Sequence, residues 1–276
     1  MIRLIKYFFF LPYFIYSALL LVVLIVSAFP ITLILLLFPE KVTNQGMFVL
    51  LKFICNAWYI LTGMWPKNFN RDKIDFNRSY IITPNHQSFI DAATIYTSIP
   101  HLFKSLGKKE IEKTPIYGVI YKTVVITVDR SSLKARALSF RQMKQALDKK
   151  ISILIFPEGT FSDTPIADLL PFQNGAFGLS ILQQTPLLPV LFPDSASRMH
   201  PSKIIRCTPG WNRAVFLPPI SVEELKKEDQ ESLKNLTQAY MQACLNHCRN
   251  QSAESVWNFA LDWMNTNRKQ FLTPQV

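Results

Sequence analysis

The sequence predicts an α/β domain preceded by an N-terminal helical segment embedded in a membrane. Three observations carry this. Between about residues 80 and 220, short apolar or β-branched runs alternate with stretches of helical length, the pattern of a layered α/β domain. From Tyr7 to Pro39 no residue is charged; as one helix this run reaches about 50 Å, well beyond a ~30 Å hydrocarbon core. The chain is 49% hydrophobic and only 18% charged, with 21 Phe in 276 residues, a balance that leans toward membrane association. The expected organisation is residues 1–66 as membrane-embedded or interfacial helices, 67–220 as the core, and 221–276 as C-terminal helices packed on it.

In chain order, the first apolar run is too long for a cleaved signal peptide, and no small-residue cleavage site follows it. Pro12 and Pro30 offer breaks. Residues 47–65 are also apolar, but Lys52, Asn56, Tyr59 and Gly63 recur at helical spacing and place the more polar positions on one stripe. That favours a helix in the membrane interface over a second span. Arg3 and Lys6 lie before the segment, and Lys67, Arg71 and Lys73 after it. A hairpin that returns to the same side satisfies both basic ends.

Tyr80–Ile82 reads as a buried strand stopped by Pro84, and Ser88 as the N-cap of a helix with Asp91 in its first turn. Lys104–Tyr121 reads as a basic turn and a helix that Pro115 and Gly118 end or kink. Thr123–Val128 is a β-branched strand. Ser131 or Ser132 caps a helix through about Leu147, whose Lys134, Arg141 and Lys144 form a solvated face. Residues 151–156 are an apolar strand ending in a Pro-Glu-Gly turn. A helix is expected over 173–184 and strands over 186–192 and 214–217. Ser221, with Glu223 and Glu224 in the first turn, caps a helix through about Arg249, and a last helix covers 253–268.

Net charge is +11, and residues 101–150 hold twelve Lys/Arg against four Asp/Glu. Such a block suits nucleic acid, anionic headgroups or a phosphorylated substrate. No nucleic-acid-binding motif accompanies it, and the membrane segment favours the other two. The four cysteines form no disulfide framework, and Cys244 and Cys248 with His247 are too poor a ligand set for zinc. No metal is expected.

The candidate chemistry lies in Thr83–Asp91. On one continuous helix, His86 and Asp91 would point about 140° apart. With His86 in the turn ahead of the helix, its ring can fold back so that the Asp91 carboxylate accepts Nδ1–H and Nε2 is left as a proton acceptor. That is a base and its orienter, in a triad whose nucleophile belongs to the substrate. The other reading, a plain helix cap beside a loop histidine, is outweighed by the second strand: its Pro157-Glu158-Gly159 turn puts a carboxylate and a flexible glycine where α/β folds build their sites.

These stretches resemble the glycerolipid acyltransferase family, most closely its 1-acylglycerol-3-phosphate acyltransferases. Asn85, His86 and Asp91 match the family's Asn-His-x4-Asp motif. Ile126–Arg130 looks like its strand ending in Asp-Arg, and Phe156–Thr160 like Phe-Pro-Glu-Gly-Thr, with Phe161 where Arg is usual. Leu170–Phe177 is also similar, with Gln173 where Lys is common, and Thr185–Val190 resembles the Pro-x-x-Pro strand. The resemblance covers about residues 80–220 in register. It implies a mixed, mainly parallel sheet flanked by helices, with the histidine turn at the mouth of a groove. It implies acyl transfer from a thioester, acyl-CoA or acyl-carrier protein, to the sn-2 hydroxyl of 1-acylglycerol-3-phosphate, giving phosphatidate without a cofactor.

His86 is then the base and Asp91 its orienter, with backbone N–H groups near the helix start as oxyanion donors. Asn85, Glu158, Gly159 and Thr160 bind substrate, and Arg130, Lys108 and Lys109 receive the phosphate that Phe161 cannot. Membrane lipids are partners, nucleic acid is not, and the site faces the cytoplasm, at the inner membrane in a bacterium. A lyso-aminolipid or another lysophospholipid as acceptor, and a non-catalytic lipid-binding protein, are the rival readings. A Ser-His-Asp hydrolase would need Gly-x-Ser-x-Gly, which does not occur.

Overall fold

The uncharged N-terminal run forms one helix, α1 (Ile2–Leu35), that turns at residues 36–39 into α2 (Glu40–Leu61). This computed structural model describes residues 2–129, 132–160, 168–200 and 202–272. The two helices run antiparallel. The Tyr13 hydroxyl donates to Thr62 O (2.6 Å) and Trp58 Nε1 to Ser17 O (2.9 Å) at one end, and Thr43 Oγ1 to Leu35 O (2.7 Å) at the other. Pro12 and Pro30 do not break α1. Near Pro30, the hydroxyls of Ser27 and Thr32 donate to Leu24 O and Ala28 O of the same helix. The end of α2 thereby comes back beside the early residues of α1.

Along α2 the expected polar stripe exists but faces inward. Tyr59 is fully buried and Lys52 and Asn56 are half-buried, while Val49, Phe53 and Ile60 face out. With Leu19, Val22, Val23 and Val26 of α1, they make a broad apolar outer face, and Phe10–Leu35 is long and apolar enough to cross a membrane. Tyr59 is held because its hydroxyl meets Thr94 Oγ1 at 2.7 Å and accepts from Asn212 Nδ2 at 2.8 Å. Tyr59→Phe would leave buried donors short of a partner. A loss of about 1–3 kcal/mol is expected, read as a lower melting temperature in detergent with transfer rates unchanged at permissive temperature.

Gly63, at φ +68°, turns the chain into β1 (Met64–Phe69), which crosses residues 66 and 67, where the core was expected to begin. There follow β2 (Ile81–Pro84), α3 (Asp91–Ser98), β3 (Phe103–Lys108), α4 (Tyr117–Val124), β4 (Val125–Val128), α5 (Leu133–Asp148), β5 (Ser152–Leu154), α6 (Gly175–Leu182) and β6 (Leu187–Leu191). The chain continues through α7 (Ser195–Arg198), β7 (Met199–His200), β8 (Lys203–Cys207), β9 (Gly210–Phe216), α8 (Gln230–Asn250) and α9 (Val256–Leu272).

The seven-stranded sheet has the order β1-β9-β6-β2-β5-β3-β4. Strands β6, β2, β5, β3 and β4 are mutually parallel, and β9, with β1 beside it, runs against them, so the sheet is mixed and mainly parallel. The period of two sorts its side chains. Ile81, Ile153 and Leu187 pack toward α5, α6 and α8, and Ile82, Leu154 and Leu188 toward α2 and α3. Buried on both faces, these central strands read as continuous apolar runs, which is why the sequence showed them.

Several elements differ from expectation. Residues 103–108 are strand β3, not a turn, because this polar stretch is paired on both sides, by β5 and β4. Pro115 precedes helix α4 instead of ending one. The helix expected from Ser221 starts only at Gln230. Val222 is drawn into the core, Glu224 takes φ +69°, and Ser221 Oγ accepts from Glu223 N. Ser132 caps α5 as expected, accepting from Ala135 N. Cys244 and Cys248 are buried thiols in the α8 core.

Candidate active site

Sheet register builds the site. In the parallel pairing of β2 with β5, Ile81 lies opposite Ile153 and Ile82 opposite Leu154, a constant offset of 72 residues. Four residues beyond the last pair, the same offset joins His86 to Glu158, and His86 N–H donates to Glu158 Oε1 at 2.7 Å. On the other side, Pro84 lies opposite Val190, and Asn85 Oδ1 accepts from Phe192 N at 2.6 Å. The turn after β2 is thereby pinned to both neighbouring strands. The connections from β2 and β5 then depart in opposite directions, toward β3 and β6, a place where open α/β sheets leave a crevice.

Within the turn, Asp91 is fully buried and its Oδ2 accepts three N–H groups: Gln87 N at 2.7 Å, Ser88 N at 2.8 Å and His86 Nδ1 at 2.8 Å. Since the carboxylate is an acceptor only, the imidazole carries its proton on Nδ1 and Nε2 is the basic nitrogen. Phe156 stacks on the ring with centroids 3.9 Å apart and planes at 19°. The His86 side chain keeps 18% of its surface open. The expected capping box forms by half. Asp91 reaches back to Ser88 N, but Ser88 Oγ donates to Met199 O and accepts from Ile90 N, so the helix starts at Asp91 and not after Ser88.

Two assignments change. Glu158, expected on substrate, spends both oxygens on backbone: Oε1 on His86 N, Oε2 on Leu170 N at 2.8 Å. It clamps the histidine turn to the segment after β5. The backbone N–H groups expected as oxyanion donors are also committed, those of Gln87 and Ser88 to Asp91, that of His86 to Glu158, and that of Asn85 to Val190 O. Asn85 is wholly buried and holds the strand end through Phe192. Gly159 takes φ +70°, the left-handed conformation that lets the chain turn directly after Glu158. Thr160 is exposed beside it.

Lys108 ends β3 opposite Val128, and Lys109 opens a short 3-10 helix, so both lie at the sheet edge that carries His86, two strands away. Arg130 and Phe161 lie outside the described residues. Phe156 as the ring's support was missed; its place before Pro-Glu-Gly was the available signal.

Burial pushes the Glu158 carboxyl up to about 7, against the pull of its two backbone donors. A carboxyl raised in the folded state stabilises the fold fully below the ordinary carboxyl range, and that contribution is lost as pH rises through about 7. Wild type should therefore lose on the order of 2–3 kcal/mol between about pH 4.5 and 8 that Glu158→Gln does not lose. Unfolding in detergent across that range checks this; parallel curves would place the carboxyl at its ordinary value.

Comparison with known proteins finds similarity over the core of the chain. A family model described as Acyltransferase matches residues 66–192, from β1 to the Phe192 amide held by Asn85. The match covers a little under half of the chain. The chain is 28% identical over 207 residues to a 1-acyl-sn-glycerol-3-phosphate acyltransferase of Cocos nucifera (72% of this chain, 63% of the relative). It is 28% identical over 179 residues to an uncharacterized acyltransferase of Schizosaccharomyces pombe (64% of this chain, 63% of the relative). The chain thus spans less than two thirds of these curated relatives. The crystal structure of the 1-acyl-sn-glycerophosphate acyltransferase of Thermotoga maritima has the same fold, with a TM-score of 0.72 at 18% identity, over 90% of this chain and 98% of that one.

Proposed function

We propose that the protein moves an acyl group from a thioester to the sn-2 hydroxyl of 1-acylglycerol-3-phosphate, forming phosphatidate. The observation that carries this is the His86–Asp91 pair at 2.8 Å, a base held in one tautomer with the nucleophile left for the substrate to bring. His86 Nε2 takes the hydroxyl proton as its oxygen attacks the thioester carbonyl. The C–S bond then breaks, and the proton passes from the imidazolium to the thiolate that leaves. Asp91 holds the ring and stabilises the imidazolium, a role worth the most in a buried setting. The thiol product is coenzyme A or the carrier protein.

Arg130, Lys108 and Lys109 receive the acceptor phosphate, a reading supported by the position of the two lysines at the edge that carries His86. Gly159 and Thr160, at the mouth of the Glu158 turn, contact the glycerol. The apolar outer face of the α1–α2 hairpin lies in a membrane, with the domain and its site on the cytoplasmic side where the donors are found. The experiment is product analysis with purified full-length protein, an acyl thioester and a panel of lysolipids. Phosphatidate from 1-acylglycerol-3-phosphate, at a kcat/KM well above that for lysolipids without a phosphate monoester, is the expected result. Transfer only to a lyso-aminolipid would reassign the acceptor, and no transfer to any lysolipid would end the enzymatic reading.

A further inference from the structure

The basic block leaves a group of lysines that the chemistry at His86 does not use, and they fold around a second cavity. A cleft of about 500 Å³ opens between the start of α2, β3, α4, β4 and α5. Lys104, Lys122 and Lys149 line it, with Glu40 and Glu112, so its side chains carry three positive and two negative charges. Lys149 Nζ lies 2.8 Å from Glu40 Oε2, and Lys122 Nζ lies 3.9 Å from Glu112 Oε2. That leaves Lys104, half-buried and, among the described residues, without a hydrogen bond or ion pair. Burial lowers its pKa and outweighs the attraction of Glu40, which Lys149 already holds, so the ammonium is short of water without a direct partner.

The cleft is not the candidate active site. Lys104 is near the beginning of β3, Val125 opens β4, and Ile151 precedes β5, whereas His86 and Glu158 follow the ends of β2 and β5. In a parallel sheet these are opposite edges. The position of the cleft indicates its ligand. Glu40 is the first residue of α2, separated by Pro39 alone from Leu36, Leu37 and Phe38, the exposed tip of the hairpin, with Leu37 open by 85%. A tip immersed in acyl chains holds Glu40, and Lys149 bound to it, at the depth of lipid headgroups. Anionic phospholipids place their phosphates there, and a lysine near such a surface is attracted to them.

We propose that this cleft binds the phosphate of an anionic membrane phospholipid, with Lys104 as its ion-pair partner and Lys122 and Lys149 flanking it. The proposal rests on the hairpin lying in a bilayer, but not on His86 being a base. Its test therefore uses binding without turnover: full-length protein in neutral detergent micelles, no acyl donor, titrated calorimetrically with dihexanoyl phosphatidylglycerol, dihexanoyl phosphatidylcholine or inorganic phosphate. Phosphatidylglycerol should bind about tenfold more tightly than either of the others, and Lys104→Gln should remove that advantage. The same variant should keep its kcat/KM for acyl transfer in neutral micelles. The Lys122→Gln/Lys149→Gln variant gives the same reading if Lys104→Gln fails to fold. Equal affinity for phosphatidylcholine overturns the proposal, as does unchanged phosphatidylglycerol affinity in both variants. Inorganic phosphate binding as tightly as the lipid would assign the cleft to a soluble anion and overturn the membrane source.

Discussion

His86→Ala is expected to cut kcat/KM for acyl transfer by two to four orders of magnitude, the usual worth of a positioned general base. The fold should survive, because the contacts that tie the turn to its neighbours come from backbone and from other side chains. His86 N–H bonds Glu158 whatever side chain residue 86 carries, and Asn85 still holds Phe192. The losses include the ring over Phe156 and one of the three donors to Asp91. Steady-state kinetics with a melting curve on the same sample decide the matter. Retention of more than a few per cent of wild-type kcat would remove His86 from the chemistry. A fall in melting temperature that accounts for the lost activity would make it a structural residue.

Asp91→Ala is the second large effect, and it is expected to fail differently. It strips the acceptor from Gln87 N, Ser88 N and His86 Nδ1 together, around a carboxylate that is fully buried. Two buried backbone donors left bare cost about 1–3 kcal/mol each, so stability and activity should fall together. Asp91→Asn separates the roles. Facing three N–H groups, the asparagine must present its carbonyl oxygen to them, which keeps the turn and the proton on Nδ1. Only the negative charge is gone. A charge-assisted hydrogen bond is about twice as strong as a neutral one, so the imidazolium loses about 1–2 kcal/mol of support and kcat falls by roughly five- to thirtyfold. The amide nitrogen takes the place of Oδ1, a buried atom without a partner among the described residues, and adds a modest stability cost. If Asp91→Asn were as inactive as Asp91→Ala while still folded, the carboxylate would be taking the proton itself.

Part of this was legible because it is local. Asn85, His86, Ser88 and Asp91 sit within one turn, so their spacing already brought the ring and carboxylate together. The apolar strands around Ile81 and Ile153 were visible because both of their faces are buried. Strand β3 was not, because Lys104, Ser105, Gly107 and Lys108 carry little of the apolar signal. It is a strand because two neighbours satisfy its backbone. The cap at Ser221 failed for a related reason: the local capping pattern was present, but burial of Val222 took the chain elsewhere.

The sequence by itself determined the uncharged N-terminal segment, the alternation of strands and helices, and the pairing of His86 with Asp91. Only the tertiary structure decided that Glu158 clamps the histidine turn, that Tyr59, Thr94 and Asn212 share one buried network, and that the polar side of α2 faces the domain. The reason is the same in each case. A side chain's neighbours within a turn follow from bond geometry and helical spacing, and a motif records them. Partners 72 or 153 residues apart meet only through sheet register and helix docking. Those are fixed by how the whole apolar surface is buried at once, a quantity that no short stretch of sequence contains.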